Sequence, residues 1–344
     1  MIVSNDIKLD FRDVLIRPKL TDLVSRSQVE LERTYDFKNG ETIKSLPIMA
    51  ANMDTIGTME VFKSLHPYGI ITCFHKFIDH QEVIENKSLL ESNMDLFAFS
   101  IGFKTEELEN LVKLSREVNF KLICIDIANG YIKDFVHFCK KVRDTFPDKI
   151  IIAGNVVTPE MVEKLFQEGG VDIVKVGIGG GSACTTRIKT GVGYPQLSCV
   201  MECYKKARLH QGYIISDGGI TCPGDLGKAL GGGADFAMMG GQFSGHDENP
   251  GELVEEDGKK YKLFYGMSSS HAMKKNYNKV EKYRTSEGRC LKVPYKGSIS
   301  ETVEDFLGGL RSLCTYVNCR KVESLHCHID FIRVNSQFNS SLLR

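Results

Sequence analysis

Eight short apolar stretches recur along the chain: LPIMAANMDT (46–55), GIITCFHK (69–76), DLFAFSIG (95–102), FKLICIDIANG (120–130), KIIIAGNVV (149–157), VDIVKVGIG (171–179), GYIISDGG (212–219) and ADFAMMGG (234–241). Most are continuous and do not alternate with polar residues. Strands covered on both faces have this pattern, and parallel sheets bury both faces. Between them lie segments with helical periodicity, such as TEELENLVKLSREV (105–118), IKDFVHFCKKVRDTF (132–146) and ETVEDFLGGLRSLCTYV (301–317). Eight strand–helix units in succession predict an α/β fold, a (β/α)8 TIM barrel; a doubly wound open sheet is the alternative. The whole chain, 1–344, reads as a single catalytic domain with a frayed tail over 336–344.

The rhythm breaks twice. One insertion follows the sixth strand and reads GIGGGSACTTRIKTG (177–191). The other spans about 242–298, after the eighth strand, and contains an Asp257-Gly258 hairpin turn. An insertion of that length on the catalytic face is expected to act as a lid.

The composition of 344 residues narrows the function. Lys plus Arg equals Asp plus Glu at 44 each, so no basic excess points to nucleic acid or an anionic membrane. The N-terminus has early acids and no long apolar stretch, so it is not a signal peptide, and no run of about 18 apolar residues predicts a membrane span. Eleven scattered cysteines without a CxxC motif read as reduced thiols of a cytoplasmic protein. The nearest approach to zinc spacing, Cys314 and Cys319 with His326, Cys327 and His328, lacks the rest of a ligand pattern.

Candidate chemistry gathers at the strand C-terminal ends, where this barrel carries its active site. Asp126 and Asp217 end apolar strands, although a capping or turn aspartate would explain either one alone. Ser216-Asp217-Gly218-Gly219 and Gly240-Gly241 fall in the loops after strands seven and eight, the recurrent phosphate site. Cys184 sits among glycines, hydroxyls and Arg187, where nearby positive charge favours a reactive thiolate. Thr186 and the more distant Glu287 are its candidate proton partners.

Several of these stretches together, GxGSxCTTRxxTGVGYPQ, SDGG, FYGMSS, YRxSEG and the N-terminal LDFxDVLxRP, resemble the IMP dehydrogenase/GMP reductase family from about Ile7 to Val334. The lid motif YRTSEG, the lack of an Arg-Tyr pair and the absence of inserted regulatory modules are similar to its reductase branch. The resemblance implies reductive deamination of GMP to IMP: Cys184 attacks C2 of the guanine ring, ammonia leaves, and NADPH delivers a hydride to the covalent thioimidate. Thr186 and Glu287 match the proton relay. Asp217, Gly218, Gly219, Gly240 and Gly241 would hold ribose and phosphate, with Gly266, Met267, Ser268, Arg284, Thr285, Ser286 and Gly288 completing the nucleotide pocket. Lys76, Asp126, Ile127, Ala128, Ile178, Gly179, Tyr283, Ser312, Leu313, Cys314 and Thr315 fall at NADPH-contacting positions. Ser25 and Arg26 match positions that reach a neighbouring subunit's cofactor, so a homotetramer is expected. Gly179, Gly181, Cys184 and Arg187 match a potassium site; the family usually has Gly-Pro-Gly where this chain has Gly179-Gly180-Gly181. The competing expectations are an IMP dehydrogenase without regulatory modules and a non-catalytic purine-nucleotide-binding barrel.

Overall fold

The computed structural model describes residues 3–267, 269 and 287–335. All eight predicted strands form: β1 (Ile48–Ala50), β2 (Ile71–Phe74), β3 (Phe97–Ile101), β4 (Leu122–Asp126), β5 (Ile150–Val156), β6 (Ile173–Val176), β7 (Tyr213–Asp217) and β8 (Phe236–Met239). Each pairs in parallel with its sequence neighbours, and β8 pairs with β1 to close the barrel. Closure explains the unbroken apolar runs. Alternate residues of a strand point to opposite faces. One set fills the barrel interior, including Ile71, Cys73, Leu122, Cys124, Ile150, Ile152, Ile173 and Ile215. The other set, including Phe97, Phe99, Ile123, Ile125, Ile151 and Val174, packs under the helices.

The helices that follow the strands are α1 (Met59–Leu65), α2 (His80–Glu85), α3 (Thr105–Leu114), α4 (Lys133–Thr145), α5 (Pro159–Gln167), α6 (Gln196–Leu209), α7 (Pro223–Gly231) and α8 (Ile299–Tyr316); shorter ones span Lys87–Glu91, Thr186–Thr190 and Leu325–His328. α4 buries Phe135, Val136, Phe138, Cys139 and Val142, one stripe at three- and four-residue spacing. α3 stops four residues before the predicted end, where the Ser115 hydroxyl donates back to the Val112 carbonyl. α8 starts two residues earlier than its periodicity suggests, because Ser298 caps it by accepting from the Ser300 N–H. It ends where Asn318 takes φ 54° and the Cys319 N–H donates to the Cys314 carbonyl at 2.9 Å.

A hairpin that the apolar pattern did not single out plugs the N-terminal mouth of the barrel. Its strands, Arg33–Asp36 and Thr42–Ser45, carry Tyr35 and Ile43 into the interior cluster. Tyr35 stacks on Phe236, the first residue of β8, at 4.1 Å between ring centroids. Of the insertion after β8, the described part is an antiparallel three-stranded sheet, Val254–Glu256, Lys259–Tyr265 and Cys290–Pro294. Asp257 and Gly258 form its two-residue turn, both at positive φ (52° and 72°), as a type I′ hairpin requires. The predicted frayed tail lies outside the described residues.

Candidate active site

The topmost layer of the barrel interior is polar. Asp126, Gly154, Lys175 and Asp217 occupy inward positions on β4, β5, β6 and β7, one step above Cys124, Ile152, Ile173 and Ile215. Gly154 makes room: a Cβ there would stand 2.6 Å from the Cβ of Lys175. Lys175 Nζ donates to Asp126 Oδ1 at 2.5 Å and to Asp217 Oδ2 at 2.9 Å. Asn155 Nδ2 also donates to Asp217 Oδ2, at 2.8 Å. Burial disfavours the charged Asp126 carboxylate, but the Lys175 ammonium outweighs it and holds the carboxyl below its ordinary range. Burial likewise opposes the Lys175 charge, and the two aspartates more than offset it, leaving that ammonium firmly protonated. Sequence reading passed over Lys175. Its signal was present, because β6 alternates and a lysine at an inward position in VDIVKVGIG contradicts a purely apolar core.

Above this layer lies the loop that leaves β6. The Cys184 thiol donates to Thr186 Oγ1 at 3.3 Å, and the Thr186 hydroxyl donates to Glu287 Oε2 at 2.6 Å. Cys184, Thr186 and Glu287 are all partly accessible. Glu287 comes 101 residues after Thr186 and is fixed by backbone pairing. The Thr185 N–H donates to its carbonyl at 2.7 Å, the Arg289 N–H donates to the Ala183 carbonyl at 3.0 Å, and Gly288 bridges Cys184. Gly266 approaches from the other side, where a Cβ would lie 3.1 Å from the Ala183 carbonyl oxygen. Met267 Sδ accepts from the Asp54 N–H at 3.3 Å.

Glycines line the rest of the mouth. Gly218 and Gly219 turn at φ 95° and 81°, and a Cβ on Gly218 would stand 3.0 Å from the Gly181 N. A Cβ on Gly241 would stand 2.6 Å from Ser182 Oγ, and one on Gly240 would stand 3.0 Å from Met53 Sδ. The loops after β6 and β7 therefore meet backbone to backbone, and the Ser182 and Met53 side chains close on Gly241 and Gly240 of the loop after β8. The Arg187 side chain holds the cysteine loop closed. It passes Gly179, where a Cβ would lie 2.5 Å from its Cγ. Its guanidinium donates to Asp10 Oδ2 at 3.3 Å and to the Tyr194 carbonyl at 2.5 Å. Asp10, from the LDFRDVLIRP stretch, is a second residue whose role the sequence reading did not specify.

The candidate cofactor residues separate into two groups. Lys76, Asp126, Ile127, Ala128, Ile178 and Gly179 stand on the rim at the ends of β2, β4 and β6, with Lys76 Nζ 3.5 Å from Glu107. Ser312, Leu313, Cys314 and Thr315 lie in the C-terminal half of α8, on the side wall towards the plugged end of the barrel. Ser25 and Arg26 join them, because the turn Arg26–Gln28 packs against α8 and the Lys19 N–H donates to the Tyr316 carbonyl at 2.9 Å. Leu313 and Cys314 face inward and pack in the helix layer. Ser268, Tyr283, Arg284, Thr285 and Ser286 lie outside the described residues. Among the described residues no cluster of three or more His, Cys, Asp or Glu side chains has metal-binding geometry, the Cys319, His326, Cys327 and His328 group included. No described helix is long and apolar enough to cross a membrane.

Fold and site together define a (β/α)8 barrel with a thiol, a hydroxyl and a carboxylate in series at its C-terminal face. The family model for the IMP dehydrogenase / GMP reductase domain matches residues 8–340. Human GMP reductase 2 is 52% identical over 342 residues, covering 98% of this chain and 97% of that protein. Mouse GMP reductase 1 is 51% identical over 343 residues, with 98% of each chain covered. The GMP reductase of Buchnera aphidicola subsp. Acyrthosiphon pisum (strain Tuc7) is 53% identical over 345 residues, again with 98% of each covered. The chain belongs to the IMP dehydrogenase/GMP reductase family.

Proposed function

We propose that this protein is a GMP reductase, which converts GMP to IMP and ammonia with NADPH as reductant. The observation that carries the reading is the Cys184–Thr186–Glu287 series, assembled within hydrogen-bonding distance from two segments 101 residues apart. Full-length likeness to proteins named GMP reductase supports the same conclusion.

The series has the chemistry that the reaction needs. Thr186 takes the Cys184 proton as the sulfur bonds to C2 of the guanine ring, and passes its own to Glu287. An exocyclic amine leaves only once protonated, so the proton returns along the same series to the departing nitrogen. NADPH, when bound, supplies the hydride that C2 then receives. Cys184 leaves as thiolate, and a proton taken up from solvent at the partly accessible Glu287 passes through Thr186 to restore the thiol. Asp217, with the backbone of Gly218, Gly219, Gly240 and Gly241, orients ribose and phosphate.

The donor set on the rim suits the cofactor: the Lys76 ammonium fits phosphate, and the outward side of the Asp126 carboxylate fits ribose hydroxyls. The separation of Ser25, Arg26, Ser312 and Thr315 from that rim supports a homotetramer in which they serve a neighbouring copy's cofactor. α8 spans 18 residues, or roughly 27 Å at ~1.5 Å per residue. A potassium ion would be held by Gly179, Gly181, Cys184 and Arg187, the set that the family resemblance implies. In the same loop the buried Thr185 hydroxyl oxygen has no hydrogen-bond partner among the described residues. The balanced charge and scattered thiols support a cytoplasmic protein that works on small molecules.

Nicotinamide absorbance provides the test. GMP with NADPH should give IMP, ammonia and NADP, whereas IMP with NAD should give no appreciable xanthosine monophosphate. Comparable synthesis of xanthosine monophosphate would transfer the protein to the dehydrogenase reaction.

A further inference from the structure

We infer that Lys175 is a positioning residue shared by the two ligand subsites, orienting Asp126 towards the cofactor and Asp217 towards the nucleotide. The inference rests on the proposed function for the identity of those ligands. Its own support is geometric. The Lys175 side chain is 3% exposed, whereas its two carboxylate partners keep 32% and 22% of theirs open. The ammonium is therefore sealed beneath the barrel mouth, and each carboxylate is gripped from below and open on its other side. Asp126 and Asp217 come from β4 and β7, separated by β5 and β6, and Lys175 bonds to both. Gly154, at the inward position between Asp126 and Lys175 in the sheet register, leaves the space through which this contact is made. Two carboxylates held on one buried cation, each partly open at the mouth of the barrel, are what two diol-bearing ligands meeting there require.

The test measures dissociation constants for GMP and for NADPH separately, by calorimetry, on the wild type, Lys175→Met and Lys175→Arg. It adds steady-state turnover with each substrate varied. Lys175→Met should weaken both ligands by at least about tenfold, because truncating one partner of a buried charge pair leaves the others misoriented. Both KM values should rise by more than kcat falls. Lys175→Arg should recover most of both losses. If Lys175→Met does not fold, Lys175→Gln takes its place: a shorter, uncharged donor should weaken both affinities in parallel. A lysine that only supports the fold would lower the melting temperature and the active fraction, leaving both dissociation constants at wild-type values. That result, or a change confined to one ligand, overturns the inference. A wild type that binds both ligands without oxidising NADPH would overturn the functional reading, while the dissociation constants would still decide the role of Lys175.

Discussion

At the N-terminal mouth of the barrel one carboxylate is shared by two guanidinium groups; at the C-terminal mouth one ammonium is shared by two carboxylates. The lower cluster centres on Asp235, whose side chain is 1% exposed. It accepts from Arg33 at 2.9 Å, from Arg208, and from the Ile214 N–H at 3.0 Å. Tyrosine rings cover the guanidiniums, Tyr35 at 4.5 Å from Arg33 and Tyr204 at 4.9 Å from Arg208. The upper cluster has the same number of charges and an equally buried centre, but glycines border it instead of rings. In the lower arrangement the carboxylate oxygens are closed off, and the exposed part is the Arg208 side chain. The other leaves carboxylate oxygens facing the ligand space. In this barrel the lower end maintains the fold and the upper end does chemistry, and the difference here lies in what surrounds the charges.

The strongest way to break that division is to remove the thiol. Cys184→Ala should abolish turnover while GMP binding stays within about tenfold, ~1.4 kcal/mol. The melting temperature should hardly move, because the nucleotide contacts and the barrel core lie on other residues. Substantial residual turnover would mean that the reaction does not pass through a covalent bond to this sulfur.

Next comes the carboxylate at the end of the series. Glu287→Gln keeps the shape and can still meet the Thr186 hydroxyl, but it cannot hold the proton. General acid–base help is typically worth ~10²–10⁴-fold, so GMP turnover should fall by that factor. Hydride exchange between IMP and labelled NADPH, with NADP supplied, needs no ammonia loss and should fall less. Equal damage to both would take Glu287 out of the relay.

The same operation at the lower cluster should give the opposite result. Asp235→Ala leaves Arg33 and Arg208 facing each other without their shared anion. Breaking a buried ion pair by removing one partner costs about 3–5 kcal/mol. Denaturant melts should show that loss, while kcat per folded molecule and both KM values stay at wild-type levels. A KM change without a stability change would remove the contrast between the two ends.

The sequence made these regions unequally readable. All eight strands were visible because a closed parallel barrel demands apolar residues on both strand faces. The plugging hairpin escaped because Arg33–Asp36 and Thr42–Ser45 are short and mostly polar, with Tyr35, Ile43 and the polar Ser45 buried. Cys184 and Thr186 stood out from the composition of their loop. Glu287 was a candidate from its place in the insertion after β8 and from the family resemblance, and no spacing rule brings residue 287 to residue 186; strand pairing around Gly288 and Arg289 does that. Lys175 was hidden in an apolar run, since a period of two matters only once one knows which face is the barrel interior. The cofactor residues were one set in the chain and became two in space, which is a property of the direction of α8 and not of local sequence.

The smallest expected effect concerns the loop that supports the sulfur. Gly180 stands where the family resemblance leads one to expect proline, and its φ lies outside the left-handed region, unlike Gly179 at 82°. A Cβ on Gly180 would meet the Gly219 N at 3.4 Å and Gln196 Oε1 at 3.5 Å, ordinary van der Waals separations. No hydrogen bond is formed by its N–H among the described residues. Proline therefore loses no donor contact and restricts the unfolded chain, so Gly180→Pro should stabilise the fold by about 0.4–1 kcal/mol. Because Gly180 borders both the cysteine loop and the Gly218-Gly219 turn, the variant should hold Cys184 at least as firmly, with turnover unchanged or higher. Thermal melts with and without GMP and potassium give the comparison. A lower melting temperature would mean that the backbone at 180 departs from the proline range, and that the upper mouth of this barrel depends on glycine there, as it does at 154, 218 and 241.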